Sequence, residues 1–224
     1  MHIEPGVVDA AKMGFAYATA AGAAGYTAKL AVDELKERSA AGFAARAGLA
    51  TIGTFLFFEV LPHFPVGISE VHFILGSSLF LILGAAPAAV GLALGLLIQG
   101  FFFAPSDLAM FYVNVTTLLV PLFAMMTLAK RVIPANTAYA DLAYADVLKL
   151  SATYQAGVVA WVAFWAFYGQ GVGAETFSAV WTFGAAYLLV IVIEPIVDLA
   201  ILKTAKTFRD RTPEELVTAR LHSA

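Results

Sequence analysis

The sequence contains no cysteine and few charged residues, and both shortages restrict what the protein can be. Only 13% of its 224 residues are charged, whereas about a quarter is usual in soluble domains. Without cysteine the chain cannot form disulfides, thiolate metal sites, iron–sulfur clusters or a cysteine nucleophile. The formal net charge of -3 leaves no basic surface for a polyanion, so we expect no nucleic-acid partner.

Apolar residues are abundant and make up 61% of the chain. Six apolar runs approach or exceed the roughly 20 residues that a helix needs to cross a bilayer. None of them shows the strict alternation of a barrel strand. The composition therefore predicts an all-α polytopic protein of the cell (inner or plasma) membrane, in contact with the lipid bilayer. The runs are residues 7–31, 43–61, 71–103, 106–129, 143–168 and 177–202.

The third run is too long for one ordinary crossing, because its helix would be about 50 Å long at the usual rise per residue. The sequence Gly-Ala-Ala-Pro at residues 84–87 predicts a turn between two short spans, 71–84 and 87–103. With seven spans and an outer N-terminus, 12 of the 13 basic residues lie on the inner side and only Lys12 lies outside. Because cytoplasmic loops carry an excess of Lys and Arg, we predict a seven-helix transmembrane bundle with a cytoplasmic C-terminus.

Three of the four histidines map to the predicted outer face. His2 is next to the N-terminus, His63 and His72 flank the loop of residues 62–72, and His222 lies in the tail. A terminal amine, the amide nitrogen of residue 2 and Nδ1 of His2 can chelate one metal ion in a plane. A fourth nitrogen from His72 would complete a square, an arrangement that favours Ni(II) or Cu(II). His63 is the weaker candidate and would act beside the ligands.

Three segments resemble the CbiM/NikM-type proteins, the substrate-capture membrane subunits (S components) of energy-coupling-factor ABC transporters for cobalt and nickel. The segments are MHIEPG at the N-terminus, FPVGISEVHFILG at residues 64–76 and LIQGFFFAPSDLAMFYVN at residues 97–114. The resemblance covers most of the chain. It implies that Met1, His2 and His72 bind Co2+ or Ni2+ as the transported substrate, without an organic cofactor.

The polar composition of the tail divides the chain into two parts, and the resemblance implies what the protein contacts. Residues 1–203 would form a transmembrane metal-capture domain, and residues 204–224 would form a short cytoplasmic tail or helix. The implied partners are a transmembrane coupling subunit and cytoplasmic ATPase subunits. Small residues spaced for close helix approach on the first helix would meet the coupling subunit, unless they only pack inside the bundle. These residues are Ala18, Ala20, Gly22, Ala24 and Gly25.

Two stretches depart from the family's pattern. Its Gly-Gly-Thr turn before the loop histidine is replaced by Gly-Ile-Ser-Glu at residues 67–70, and a later Gly-Gly element by Ala-Pro-Ser-Asp at residues 104–107. Glu70 either supplies an acceptor near the metal or caps the following helix. Gln99 and Asn114 lie in apolar spans, where they either make interhelical hydrogen bonds or hold the loop and terminus over the metal.

Three acidic residues, Glu59, Glu194 and Asp198, lie within apolar runs. Intramembrane acids are candidates for a functional site, so a secondary ion- or proton-coupled transporter is one alternative function, although structural pairing of these acids is the simpler interpretation. A second alternative is a membrane sensor or assembly subunit without transport activity. The sequence shows no Walker motif and no evident nucleophile–base arrangement, so we predict that the protein is not an enzyme.

Overall fold

The computed structural model describes residues 2–208 and 211–222. In this part of the chain, seven α-helices and one β-hairpin form the main elements. The hairpin has strands β1 (Phe64–Val66) and β2 (Ser69–Val71). The helices are α1 (Met13–Glu37), α2 (Ala40–Phe55), α3 (Gly76–Leu83), α4 (Ala85–Phe102), α5 (Phe111–Val132), α6 (Tyr144–Gln170) and α7 (Ala174–Thr207).

Shorter helical turns extend or connect these elements. A π-helical turn, Leu56–Val60, continues α2, and a 3-10 turn, Pro105–Met110, leads into α5. Single 3-10 turns follow at Tyr139–Asp141, Glu214–Leu216 and Ala219–Leu221. π-Helical turns are frequent at functional sites, and the one here contains Glu59.

Five helical segments are long and apolar enough to cross a membrane, which confirms a helical, multi-pass membrane protein. The number of α-helices agrees with the prediction of seven, but α1 is not among these five, and α3 has only eight residues, about 12 Å of helix. The five segments are Ala40–Val60, Ala85–Phe102, Pro105–Val132, Tyr144–Gln170 and Ala174–Thr207.

The turn predicted inside the third apolar run lies at Gly84, whose φ is 96°, a conformation that glycine adopts without steric cost. Helix α4 begins at Ala85, so the predicted start of this span at residue 87 is two residues late. Pro87 lies in the first turn of α4, where a backbone N–H has no intrahelical partner to lose. The prediction of helix from residue 71 is wrong, because β2 ends at Val71 and α3 starts only at Gly76.

Helices α2 and α4 approach each other closely because glycines of α4 face small residues of α2. A Cβ added at Gly91 would collide with Ala50, and one added at Gly95 would collide with Thr54. This Gly-x-x-x-Gly pair, which the sequence analysis did not identify, permits contact between the two backbones. One further turn along the same face of α4 lies Gln99, which is thereby brought beside the end of α2.

The tail lies against the end of the bundle that contains the start of α2. Helix α7 continues to Thr207 and so includes the first four residues of the predicted tail, 204–207. The N–H of Thr218 donates to the carbonyl of Ile82 at 2.7 Å, and Val217 and Leu221 are buried. The described part of the tail therefore packs as irregular chain with single 3-10 turns.

Candidate metal site

The N-terminal segment lies beside the hairpin as a short additional strand. Ile3 pairs in antiparallel fashion with Ser69. The carbonyl of His2 accepts hydrogen bonds from Glu70 N and Ser69 Oγ, both at 3.0 Å. On the other side, Ile3 N donates to Asn114 Oδ1 at 2.8 Å. The backbone on the C-terminal side of His2 is therefore held by both the hairpin and α5.

A chain of hydrogen bonds that begins at Glu59 sets the orientation of the His2 ring. A carboxylate can only accept, so Gln99 Nε2 donates to Glu59 Oε2 at 3.1 Å. This contact turns Gln99 Oε1 toward His2 Nε2, at 2.6 Å. Because an amide oxygen also only accepts, Nε2 of His2 carries the ring hydrogen and Nδ1 has a free lone pair. This is the tautomer that chelation through Nδ1 requires.

The free Nδ1 of His2 faces a carboxylate. It lies 2.9 Å from Asp107 Oδ2, yet it makes no hydrogen bond of acceptable geometry within the described residues. Burial lowers the pKa of His2, so the ring is neutral near pH 7. Two atoms with lone pairs thus face each other, which is favourable when a cation lies beside both.

His72 lies across from His2 and is 1% exposed. The two ring centroids are 5.4 Å apart, and the His63 ring stacks on His72 at 4.9 Å. Nε2 of His72 lies 2.8 Å from Glu70 Oε2, and burial lowers the pKa of His72. His2, Glu70 and His72 each offer one potential ligand atom, and these three atoms lie within 4.8 Å of one another. A single ion can bridge atoms at that separation.

Two acidic residues of α7 hold the chain that follows His72. Glu194 Oε1 accepts hydrogen bonds from Ile74 N at 2.5 Å and Leu75 N at 3.1 Å, and Gln155 donates to its other oxygen. Leu75 has a φ of 51°, which is uncommon outside glycine. These bonds keep residues 74 and 75 out of α3, and they explain why the helix starts later than predicted.

The second acid, Asp198, accepts hydrogen bonds from the hydroxyls of Ser77 and Ser78, at 2.6 and 2.5 Å. An acid near the first turn of a helix is also favoured by the helix dipole. Glu194 and Asp198 therefore interact with α3 and the loop before it, in keeping with a structural role.

Among the described residues, the structure brings the predicted metal-site candidates to one end of the bundle. Met1 lies outside the described residues. Glu70 lies in β2 and contacts His72, so its predicted alternative as a cap of α3 is wrong. Gln99 and Asn114 hold the N-terminal segment, which was one of their two predicted roles. The residues gathered at this end are His2, His63, Glu70, His72, Gln99 and Asn114.

Asp107 was missed as a site residue by the sequence analysis, and so was the contact of Glu59 with Gln99. The signal for Asp107 was an acidic residue eight positions after Gln99, at the start of the apolar run 106–129. On α1, Ala18, Gly22, Ala24 and Gly25 are exposed. Ala20 is buried, so its prediction as part of an outward-facing surface is wrong.

Comparison with known proteins identifies one family and one related fold. The family described as "Cobalt uptake substrate-specific transmembrane region", CbiM, matches residues 2–212. No curated protein matches the sequence. A solved structure titled "Crystal Structure of an Truncated Transition metal Transporter" is similar, with a TM-score of 0.64 and 16% identity over 93% of this chain and 98% of the other. At that identity, the likeness shows a shared fold.

Proposed function

Because the chain belongs to the CbiM family of cobalt-uptake transmembrane regions, we propose that it captures Co2+ or Ni2+ for uptake by an energy-coupling-factor transporter. The family is that of a substrate-binding membrane component, and the five apolar spans agree with a multi-pass membrane location. The observation that carries the proposal is the convergence of His2, Glu70 and His72, with potential ligand atoms within 4.8 Å of one another. The tautomer assigned to His2 supports it, because Nδ1 is free to bind a cation.

In the proposed complex, the terminal amine of Met1, the amide nitrogen and Nδ1 of His2, and an imidazole nitrogen of His72 bind the ion. Asn114 and Gln99 hold the N-terminal segment over the site. The excess of basic residues at the other end of the bundle supports an outer location for this site. Because a ligating amide must lose its proton, binding releases protons and weakens as the pH falls.

Energy for transport would come from separate cytoplasmic ATPases through a transmembrane coupling subunit. The exposed small residues of α1 are the surface we propose for that subunit. Nothing lies within 4 Å of a Cβ placed at Gly22 or Gly25, so another helix could approach the backbone there.

Metal titration of detergent-purified protein tests the proposal. The tag is placed at the C-terminus, and Co2+ and Ni2+ are titrated into the wild type, His2→Ala, His72→Ala and a variant with one residue added before Met1. We expect one tight site in the wild type and its loss in all three variants. His222→Ala, a change of the same type in the tail, should bind as the wild type does.

Two results would contradict the proposal. Absence of tight metal binding in the wild type would exclude metal capture as the function and favour the sensor or assembly alternative. Transport that needs the acidic side chains of Glu194 and Asp198 but survives His2→Ala would favour an ion- or proton-coupled transporter. Tight binding that survives the N-terminal extension would leave capture in place but remove the terminal amine from the ligand set.

A further inference from the structure

We propose that Glu70 and Asp107 supply carboxylate oxygens to the captured ion, and that these oxygens shift its selectivity from Ni2+ toward Co2+. This inference rests on the proposed function, because it concerns the same ion. It adds oxygen ligands to a set of nitrogen ligands and assigns them to two residues.

The position of Glu70 follows from the strand on which it lies. Residues two apart in a strand share a face, so the side chains of Glu70 and His72 leave β2 and its end on the same side. Glu70 Oε2 reaches 2.8 Å from His72 Nε2, and a carboxylate oxygen of Glu70 lies within 4.8 Å of a potential ligand atom of His2 and of His72. Its backbone N–H is bonded to the His2 carbonyl, which fixes the main chain of Glu70 relative to that of His2.

Asp107 approaches from the opposite side of His2. It lies in the 3-10 turn between α4 and α5, and Ser106 Oγ donates to its Oδ1 at 3.2 Å. The remaining oxygen, Oδ2, lies 2.9 Å from His2 Nδ1, the atom that the chelate uses. An ion bound at Nδ1 therefore has a carboxylate oxygen next to it.

The charged groups at this end of the bundle indicate that a cation binds there. Among the described residues, the ion-pair contacts of Glu70 and Asp107 are with His72 and His2, not with lysine or arginine. Two carboxylates with side-chain exposures of 24% and 16% thus lie beside imidazole nitrogens with no lysine or arginine partner among the described residues, and a divalent ion would balance their charge.

The types of ligand atom decide whether the affinity for Co2+ or for Ni2+ increases relative to the other. Four nitrogens in a plane favour Ni(II) and Cu(II), whereas oxygen ligands suit ions with higher coordination numbers. Carboxylates on either side of a nitrogen plane would make the ion five- or six-coordinate. Ni2+ then loses the advantage of a square plane, and Co2+ gains relative to it.

The test compares Co2+ and Ni2+ affinities of the full-length protein in wild type, Glu70→Gln, Asp107→Asn and the double variant. Removal of groups that support a metal site typically costs 10- to 100-fold in affinity. We expect Co2+ affinity to fall by about tenfold or more, and Ni2+ affinity to fall several-fold less. Glu175→Gln, an acid-to-amide change at the exposed start of α7, is the matched control and should change neither.

A magnetic measurement on the wild-type Ni2+ complex gives a readout that does not depend on whether the variants fold. A square-planar Ni2+ complex is diamagnetic and a five- or six-coordinate one is paramagnetic, so we expect the wild-type Ni2+ complex to be paramagnetic and the double variant to move toward diamagnetism. A diamagnetic wild-type complex, or unchanged relative affinities in both single variants, would overturn the inference. In either case, the proposed function is retained if the wild type binds metal and His2→Ala and His72→Ala do not. If the wild type binds no metal, both the proposed function and this inference are wrong.

Discussion

The two ends of the bundle use buried charge in opposite ways. At the histidine end, formed by His2, His63, His72 and their contacts, acceptors face one another. At the arginine end, formed by Arg38, Arg46 and Arg220 with the tail, cations are bonded to oxygens of the protein itself.

The arginine end is held by contacts that the chain provides internally. Arg46 is fully buried, pairs with Glu34 and donates to the carbonyls of Leu83 and Gly42 at 3.0 and 3.2 Å. Its fixed fork of donors suits this use.

The other two arginines of this end connect the tail to the rest of the bundle in the same manner. Arg38 donates to the carbonyls of Glu214 and Val217. Arg220 donates to the carbonyls of Pro134 and Thr137 and lies 5.1 Å from the ring centre of Tyr139.

The contrast teaches how to separate a structural polar cluster from a binding one. His2 and His72 at one end and Arg46 at the other are all buried, so burial alone does not distinguish the two clusters. Donors matched to acceptors indicate a structural cluster, because such groups need no further partner. At Arg46 the Nε and Nη1 atoms are matched in this way, whereas Nη2 has no hydrogen-bond partner among the described residues. Acceptors that face acceptors, as His2 Nδ1 and Asp107 Oδ2 do, indicate a cluster whose missing component is a cation. The same contrast predicts that stability and metal affinity can be changed separately.

The largest expected effect is on stability at the arginine end. Arg46→Met leaves Glu34 and two buried carbonyls without their donor, and breaking a buried ion pair typically costs about 3–5 kcal/mol. Denaturant or thermal unfolding in detergent measures the loss. The double variant Arg46→Met/Glu34→Leu should recover much of it, and metal affinity of the folded fraction should stay unchanged. A single variant as stable as the wild type would show that the pair is not structural.

A change at Glu194 should affect both properties, because this residue joins α7 to the loop after His72. Glu194→Ala leaves the N–H groups of Ile74 and Leu75 unsatisfied, at about 1–3 kcal/mol for each buried group. The loop should loosen and metal affinity should fall with stability. Glu194→Gln retains an acceptor oxygen and should lose less of each. Full metal affinity in a folded Glu194→Ala protein would show that the loop does not need this anchor.

A change at Glu59 should have the opposite effect to a change at Arg46: it should lower metal affinity with little effect on stability. In Glu59→Gln, residue 59 can also donate, so Gln99 is free to rotate and present its NH2 group to His2. The required tautomer of His2 is then no longer imposed, and we expect a 10- to 100-fold loss of metal affinity. Titration alongside an unfolding curve measures both quantities. Ser39→Ala, which removes the cap at the start of α2, should do the reverse and cost about 1 kcal/mol of stability.

The smallest expected effect is on the pH dependence of the metal-free protein. Burial lowers the pKa values of His2 and His72 below the ordinary value of 6.5. As the pH falls through 6.5, these groups gain protons in the unfolded chain before they do so in the folded protein. Stability must therefore decrease below that pH. Unfolding midpoints from pH 8 to about pH 5 should decline less in a folded His72→Asn variant. An equal decline in the wild type and the variant would show that His72 does not contribute to the pH dependence of stability.

Much of the helical framework could be predicted from the sequence because runs of apolar residues and the glycine before Pro87 are local signals. The start of α3 could not, since the acid that keeps residues 74 and 75 outside the helix is 120 positions away on α7. The two histidines of the site followed from chelate chemistry and a family resemblance. Asp107 was not predicted as a site residue because α4 and α5 bring it to His2. No short spacing in the sequence indicates that contact.

The depth at which His2 lies has a kinetic consequence. Its side chain is almost fully covered, and its carbonyl is bonded to the hairpin while the next amide is bonded to α5. An ion held by this residue leaves only when the N-terminal segment separates from those neighbours, which is a local unfolding event. The residence time of the ion is then set by the opening rate of that segment, so variants that weaken its hydrogen bond to Asn114 should shorten residence even where equilibrium affinity changes little.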